Sequence, residues 1–163
     1  MKRLLPITIG LVLAMGGVFC LVAPCDAENQ VLKRECETKA KNAAGLIQTM
    51  GAKAAFGKIT DPQGSFVSNA SHVFCIDAES GSLLAHKVAR FVGSNMNYYM
   101  DADGKNPYAR ILRQARQRKE GWSSYMSYGS GPEKRDTPGL KNMYFLKVPG
   151  KNIVLCCGYW EDA

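Results

Sequence analysis

From His72 to Trp160 the chain is a succession of short apolar stretches, each closed by turn-forming residues, and this punctuation restricts the fold more than any other feature. His72-Val73-Phe74-Cys75-Ile76-Asp77 is followed by Glu79-Ser80-Gly81, after which Ser82 to His86 returns. Trp122 to Tyr128, Leu140 to Val148 and Ile153 to Trp160 repeat the pattern, separated by Gly129-Ser130-Gly131-Pro132 and Pro149-Gly150-Lys151-Asn152. Stretches of this length bounded by Gly, Pro, Asn and Ser read as strands, and tight turns between them send the chain back antiparallel. The pattern predicts one antiparallel sheet, with Phe74, Ile76, Leu84, Phe145, Val154 and Leu155 among its buried residues. Alternation does not fix the register of the last strand.

Two helical patterns accompany these strands. From Asn29 to about Phe56, the residues Val31, Leu32, Ala40, Ala43, Ala44, Ile47, Met50 and Ala54 recur at helical spacing with charged residues between them. A long amphipathic helix follows, weakened at Gly45 and Gly51 by about 1 kcal/mol each relative to alanine and therefore dependent on packing. Asp61-Pro62-Gln63-Gly64 closes this region, and Asn106 to Lys119 reads as a second helix. At 163 residues, with 46% hydrophobic and 21% charged, the chain suits one domain with its own core. The fold class is α+β, a long N-terminal helix with one antiparallel sheet and helices on it.

Residues 1–27 stand apart. Lys2 and Arg3 precede an apolar run from Leu4 to Ala23, and Cys25-Asp26-Ala27 supplies the small residues of a cleavage site, so a signal peptide is expected, with a domain over residues 28–163. The run is also close to the ~20 residues that span a bilayer, which keeps open an inner-membrane anchor at 4–23 in place of a periplasmic or secreted product. Loss of Lys2, Arg3 and Asp26 would lower the net charge from +7 to +6, an ordinary solvated balance. Arg110, Arg113, Arg116, Arg118 and Lys119 cluster, but an export leader is the wrong address for a nucleic-acid partner.

Cleavage would leave Cys36, Cys75, Cys156 and Cys157, in number enough for disulfides but set in apolar strand patterns where they pack equally well as small hydrophobes. With only His72 and His86 and no Cys-x-x-Cys-His, the sequence offers neither a zinc ligand set nor a c-type haem site, and no cofactor is expected. Asp101-Ala102-Asp103-Gly104 is a turn and not a calcium loop, since the glycine comes early and Leu112 stands where a bidentate glutamate is needed. No nucleophile elbow surrounds any serine. Enzymatic activity is not expected.

Several motifs fall in a recognisable order. They are Asp61-Pro62-Gln63-Gly64-Ser65-Phe66-Val67, Leu84-Ala85-His86, Gly93-Ser94-Asn95-Met96, Asp103-Gly104-Lys105 with Tyr108, Gly121-Trp122 with Tyr125, and Lys141 through Gly150. Together they resemble the single Cache domain, a PAS-like extracytoplasmic sensor, in its short stand-alone bacterial form. Lys87 stands where that pattern has proline, Ser124 where an acid is common, and Ser127 or Tyr128 where a tryptophan is common.

The resemblance implies a small-molecule ligand, a carboxylate or related metabolite, held between the sheet and its helices. A few donors in an otherwise apolar wall would capture it. His86 at a strand end, Tyr125 and Tyr144 in two other strands, Lys141 and Arg110 are the candidate ligand-binding residues, whereas Trp122, on the alternation opposite Tyr125, is assigned to the core. Output would pass to another protein, a membrane receptor or kinase, or through a homodimer along the N-terminal helix. The alternative is a periplasmic structural or accessory protein that kept the fold without the ligand.

Overall fold

The structure is a computed structural model that describes residues 24–129 and 134–161. The expected leader or anchor lies outside the described residues up to position 23, as do Ser130 to Pro132 of one expected turn. Helix α1 (Pro24–Met50) and helix α2 (Ala52–Ile59) come first, then β1 (His72–Asp77), β2 (Leu83–Ala85), helix α3 (Pro107–Gln117), β3 (Glu120–Ser127), β4 (Gly139–Lys147) and β5 (Ile153–Trp160). Short 3-10 turns at Ala89–Phe91 and Met96–Tyr98 shape the segment between β2 and α3.

Helix α1 forms where Leu32, Cys36, Ala40, Ala43, Ala44 and Ile47 recur every three or four positions, and these are its buried residues. Val31 and Met50 share the spacing only loosely and are exposed. The expected single helix through Phe56 is two helices. Gly51 adopts φ 82°, a conformation that only glycine enters at no steric cost, and α2 restarts with a shifted phase. Ala55 and Ile59 consequently enter the core, and Ala54 faces solvent.

All five strands are antiparallel, in the order β2-β1-β5-β4-β3. Helices α1 and α2 cover one face, where Val73, Cys75, Tyr144, Leu146, Leu155 and Cys157 meet Leu32 to Ile59. Helix α3 and the segment before it cover the other, where Phe74, Ile76, Met143, Phe145, Val154 and Cys156 meet Ile111, Leu112 and Ala115. β5 is buried along Ile153 to Tyr159 because both its faces are covered, which is why its sequence does not alternate. Of Phe74, Ile76, Leu84, Phe145, Val154 and Leu155, the residues expected to be buried in the sheet, Leu84 alone is only half-buried. It is the extra residue of a β-bulge between Cys75↔Ala85 and Ile76↔Leu83, so Leu83 takes the inward position.

Helix α3 starts where sequence chemistry places it. The Asn106 side chain accepts from Ala109 N–H at 2.7 Å and Pro107 occupies the first turn. Asp101 accepts from the backbone N–H groups of Asp103 and Lys105, forming the turn expected there. Cys36, Cys75, Cys156 and Cys157 are free thiols, all buried.

Candidate functional site

On the α3 face the sheet and the segment after β2 enclose a cavity of about 200 Å³. Its floor is His72 and Phe74 of β1, Leu83 of β2, Tyr125 and Ser127 of β3, and Lys141 and Met143 of β4. Its roof is His86, Lys87, Val88, Phe91, Ser94, Met96 and Tyr99, with Tyr108 entering from α3. Period two along each strand sorts these side chains: 72 and 74, 125 and 127, 141 and 143 all point the same way. In the register, Gly158 of β5 lies between His72 and Met143. A Cβ there would sit 2.8 Å from both the Asn142 carbonyl and Met143 Cε, so the missing side chain is what lets Met143 lie across the floor.

Polar groups on this wall are held by one another. The Tyr108 and Tyr125 hydroxyls are 3.0 Å apart, and Tyr99 hydroxyl meets Ser127 Oγ at 2.9 Å while Ser127 Oγ accepts from Gly129 N–H. Burial, and then the neighbouring Tyr125, push the Tyr108 phenol well above its ordinary range, so it remains a neutral donor. The Nε2 atoms of His72 and His86 are 3.1 Å apart, and His86 Nδ1 accepts from Val88 N–H at 3.0 Å. Lys141 is 9% exposed with its ammonium 4.6 Å from the centre of the Trp160 ring, a cation–π contact at the cavity edge. Among the described lining residues there are two lysines and two histidines and no aspartate or glutamate. No group of three or more metal-ligating side chains occurs among the described residues.

Three solved structures share this arrangement of helices and sheet. They are a periplasmic sensor domain of a chemotaxis protein (TM-score 0.61, 15% identity, 85% of this chain and 99% of that one), a methyl-accepting chemotaxis protein from Vibrio parahaemolyticus (0.66, 15%, 85% and 94%), and a Cache chemosensory domain described for carboxylic acid recognition (0.58, 14%, 83% and 91%). The fold is that of a Cache sensor domain. No protein-family model and no curated protein sequence matches the chain. At these identities the likeness carries the Cache fold and not the ligand.

Of the residues expected at the Cache pocket, the structure brings His86, Tyr125 and Lys141 to one cavity. Tyr144 is a correction. Lys141 and Tyr144 are three apart in one strand, so they point to opposite faces, and Tyr144 lies under α1 with its hydroxyl donating to the Glu120 carboxylate and Lys41 over its ring. Arg110 is a second correction. It stands on the outer side of α3 and donates from a terminal guanidinium nitrogen to the Ser124 carbonyl of edge strand β3 at 2.6 Å, outside the cavity. Trp122 packs against the α1 face as expected, its indole N–H donating to Glu37 at 3.1 Å.

The sequence reading missed His72, Tyr99, Tyr108 and Lys87 as wall residues. For His72 the signal was present, since it shares the face of Phe74 and Ile76 in a strand already assigned. Lys87 was visible as a departure from the motif pattern. Tyr99 had none, because the path of the segment between β2 and α3 depends on hydrogen bonds such as Met96 N–H to the Gly81 carbonyl at 2.8 Å, which periodicity does not report.

Proposed function

We propose that this chain is an extracytoplasmic sensor domain that captures a small organic anion, a short carboxylate in the first instance, and passes its occupancy to a partner protein. The observation that carries the reading is the cavity of about 200 Å³ whose described lining holds Lys87, Lys141, His72, His86 and three tyrosines with no acidic side chain. A carboxylate taken out of water needs charge-assisted donors on several sides, and a wall of Phe74, Phe91 and Met143 around those donors excludes the water that would compete. A cavity below the usual ~300–1,000 Å³ of drug-sized sites suits a ligand of few atoms.

The fold of periplasmic and chemotaxis sensors, one of them described for carboxylic acid recognition, supports a sensing role for this chain as well. The basic start and apolar run of residues 1–23 support export or an anchor before the domain. Output then passes by contact with a membrane receptor or kinase, or between two copies along α1, whose Val31 is 63% exposed.

A thermal-shift screen of the purified protein against short mono- and dicarboxylates, amino acids, amines and purines decides the reading. A ligand at 100 times its Kd stabilises the native state by about 2.7 kcal/mol. Carboxylates should raise Tm and amines should not. A rise with amines alone overturns the anion assignment, and no response to any compound leaves the accessory role.

A further inference from the structure

A second cleft, of about 290 Å³, opens where α3 hands over to β3 and the β4–β5 turn passes beside it. Its lining brings Arg116, Arg118, Lys119 and Lys147 together with no aspartate or glutamate among the described residues. Arg116 lies in the last turn of α3, where a cation answers the carbonyl end of the helix, and its guanidinium reaches the Ala78 carbonyl at 3.5 Å. The other three lie beyond the last residue of α3. Lys119, just before β3, and Lys147, the last residue of β4, are tied together by the bond from Lys147 N–H to the Lys119 carbonyl at 2.8 Å. None of the four cations makes an ion pair with a described residue. Lys119 acts on Glu120 only through space, and that carboxylate accepts from the Tyr144 hydroxyl on the α1 face. Arg118 is held in place. Its guanidinium lies over the Phe145 ring, 5.4 Å from the centroid, in room left by Gly121, where a Cβ would come 3.0 Å from both Cζ and Nε of Arg118. Stacking occupies a face of the guanidinium plane and leaves its N–H edge, the part that binds oxyanions, for another partner.

We propose that this cleft is an anion site separate from the larger-walled cavity under the roof, and that it takes a phosphate group, held by the Arg118 fork and the Lys119 and Lys147 ammonium groups. It stands whether or not that cavity takes a carboxylate. Charge and shape favour phosphate. A guanidinium edge matches two phosphate oxygens in a bidentate pair, and a dianion offsets more of four mutually repelling cations than a monoanion does. The cleft is stiffly framed on its far side as well, since Lys151 N–H closes the turn onto the Val148 carbonyl at 3.2 Å and Gln48 of α1 donates to the Pro149 carbonyl at 2.7 Å. Open to water, the site should lose affinity as salt rises. A free phosphate and a phospholipid headgroup present the same group, and the experiment separates them.

Backbone 1H–15N NMR of the purified protein, titrated with inorganic phosphate in HEPES at about pH 7.5 and constant ionic strength, reads the site. Amides of residues 116–121 and 147–151 should shift and saturate together. Arg118→Lys keeps the charge and loses the fork, so it should weaken phosphate by about tenfold, and Arg118→Gln combined with Lys147→Gln should abolish saturation. Arg118 is exposed and Lys147 half-buried, and an unchanged Tm in each variant checks that the fold is kept. Sedimentation with vesicles of phosphatidylglycerol and of phosphatidylcholine finds the source. Retention on phosphatidylglycerol alone, lost in Arg118→Gln, assigns a headgroup, and saturating phosphate shifts without retention assign a soluble phosphate. Shifts that spread over the surface without saturating, shifts confined to the wall of the cavity under the roof, or an Arg118→Lys variant that binds phosphate as the parent does would overturn the site.

Discussion

Tyr125 and Lys141 stand directly opposite each other across the β3–β4 pair, and both side chains reach the cavity floor. Directly paired residues on one face of an antiparallel sheet have Cβ atoms about 4.5–5.5 Å apart, so a hydroxyl and an ammonium are delivered to one spot by the ladder itself. Lys141→Ala is expected to weaken an anionic ligand by about 1.5–3 kcal/mol, the worth of a charged hydrogen bond. Tyr125→Phe keeps the ring and loses only a neutral hydroxyl already bonded to Tyr108, so its effect should be smaller, about 0.5–1.5 kcal/mol. Titration calorimetry with an acid from the screen measures both. An unchanged Kd for Lys141→Ala removes that residue from the site.

Tyr144→Phe should behave in the opposite way. Its hydroxyl donates to Glu120 on the α1 face, and that bond is the first cause of the depressed Glu120 carboxyl. Because Glu120 is well exposed, the loss of stability should be modest, about 0.5–1.5 kcal/mol by urea denaturation, with the response to acids intact. A variant of normal stability that no longer responds to acids would return Tyr144 to the binding site.

These two tyrosines show what could be read in advance. The strands and their turns followed from local chemistry, and β1 and β5 have the expected bounds because Gly, Pro and Asn stop the apolar stretches where the ladder ends. Convergence of His86, Tyr125 and Lys141 needed the strand order β2-β1-β5-β4-β3, a consequence of long-range pairing that no single stretch encodes. The place of Tyr144 on the far face is legible in the sequence, since odd spacing from Lys141 puts the two side chains on opposite sides of the sheet. Arg110 was not decidable from periodicity, because a long side chain on the flank of α3 can turn either inward or to the backbone of an edge strand. The break at Gly51 had a visible cause, yet glycines at 45 and 57 stay helical, and the tertiary fit of α2 decides which of them bends the chain.

Stability should fall in acid partly through Glu35. Its carboxylate receives Lys39 at 2.6 Å, Ser68 Oγ at 2.8 Å and Ser71 Oγ at 2.9 Å, tying α1 to the turn before β1. Burial works to raise this carboxyl, but the bonds from Lys39, Ser68 and Ser71 outweigh it and hold it below the usual range. A depressed folded value means that the contribution is present above the unfolded value of about 4.3 and is lost as pH falls through the folded one. Glu35→Gln should cost about 1–2 kcal/mol at pH 7, and its deficit relative to the parent should shrink steadily below about pH 4.5. Asp77 and Glu120 are depressed as well, so the difference between parent and variant, not the parent curve, is the quantity to follow. A deficit independent of pH would show that Glu35 acts through packing.

The thiols should be inert while the protein is folded. Burial pushes the Cys75 and Cys156 thiols up, and contact with Cys157 followed by burial does the same for Cys36. Since the thiolate is the nucleophile, a disulfide reagent at pH 8 should label none of Cys36, Cys75, Cys156 and Cys157 in the native protein, and all of them after denaturation without reductant. Rapid native labelling, or missing thiols in the denatured sample, would contradict the free and buried assignment.

The roof of the cavity hangs on Gly81. It has φ 75°, and its carbonyl accepts from Met96 N–H at 2.8 Å, while the Asn95 and Asn97 side-chain amides both donate to the Ser80 carbonyl at 3.1 Å. A Cβ on Gly81 would lie 2.3 Å from the Asn97 amide nitrogen and 3.0 Å from Asn95 Oδ1, so alanine has to displace the side chains that hold the segment carrying Phe91, Met96 and Tyr99. Backbone strain and the lost amide bonds together should cost about 1–3 kcal/mol. The damage should be local first. Amide hydrogen exchange in Gly81→Ala is expected to speed up over residues 89–99 while β4 and β5 keep their protection, and acid binding should weaken because the roof residues are no longer held in place. Uniform protection across the segment would mean that the turn at Gly81 does not position the roof.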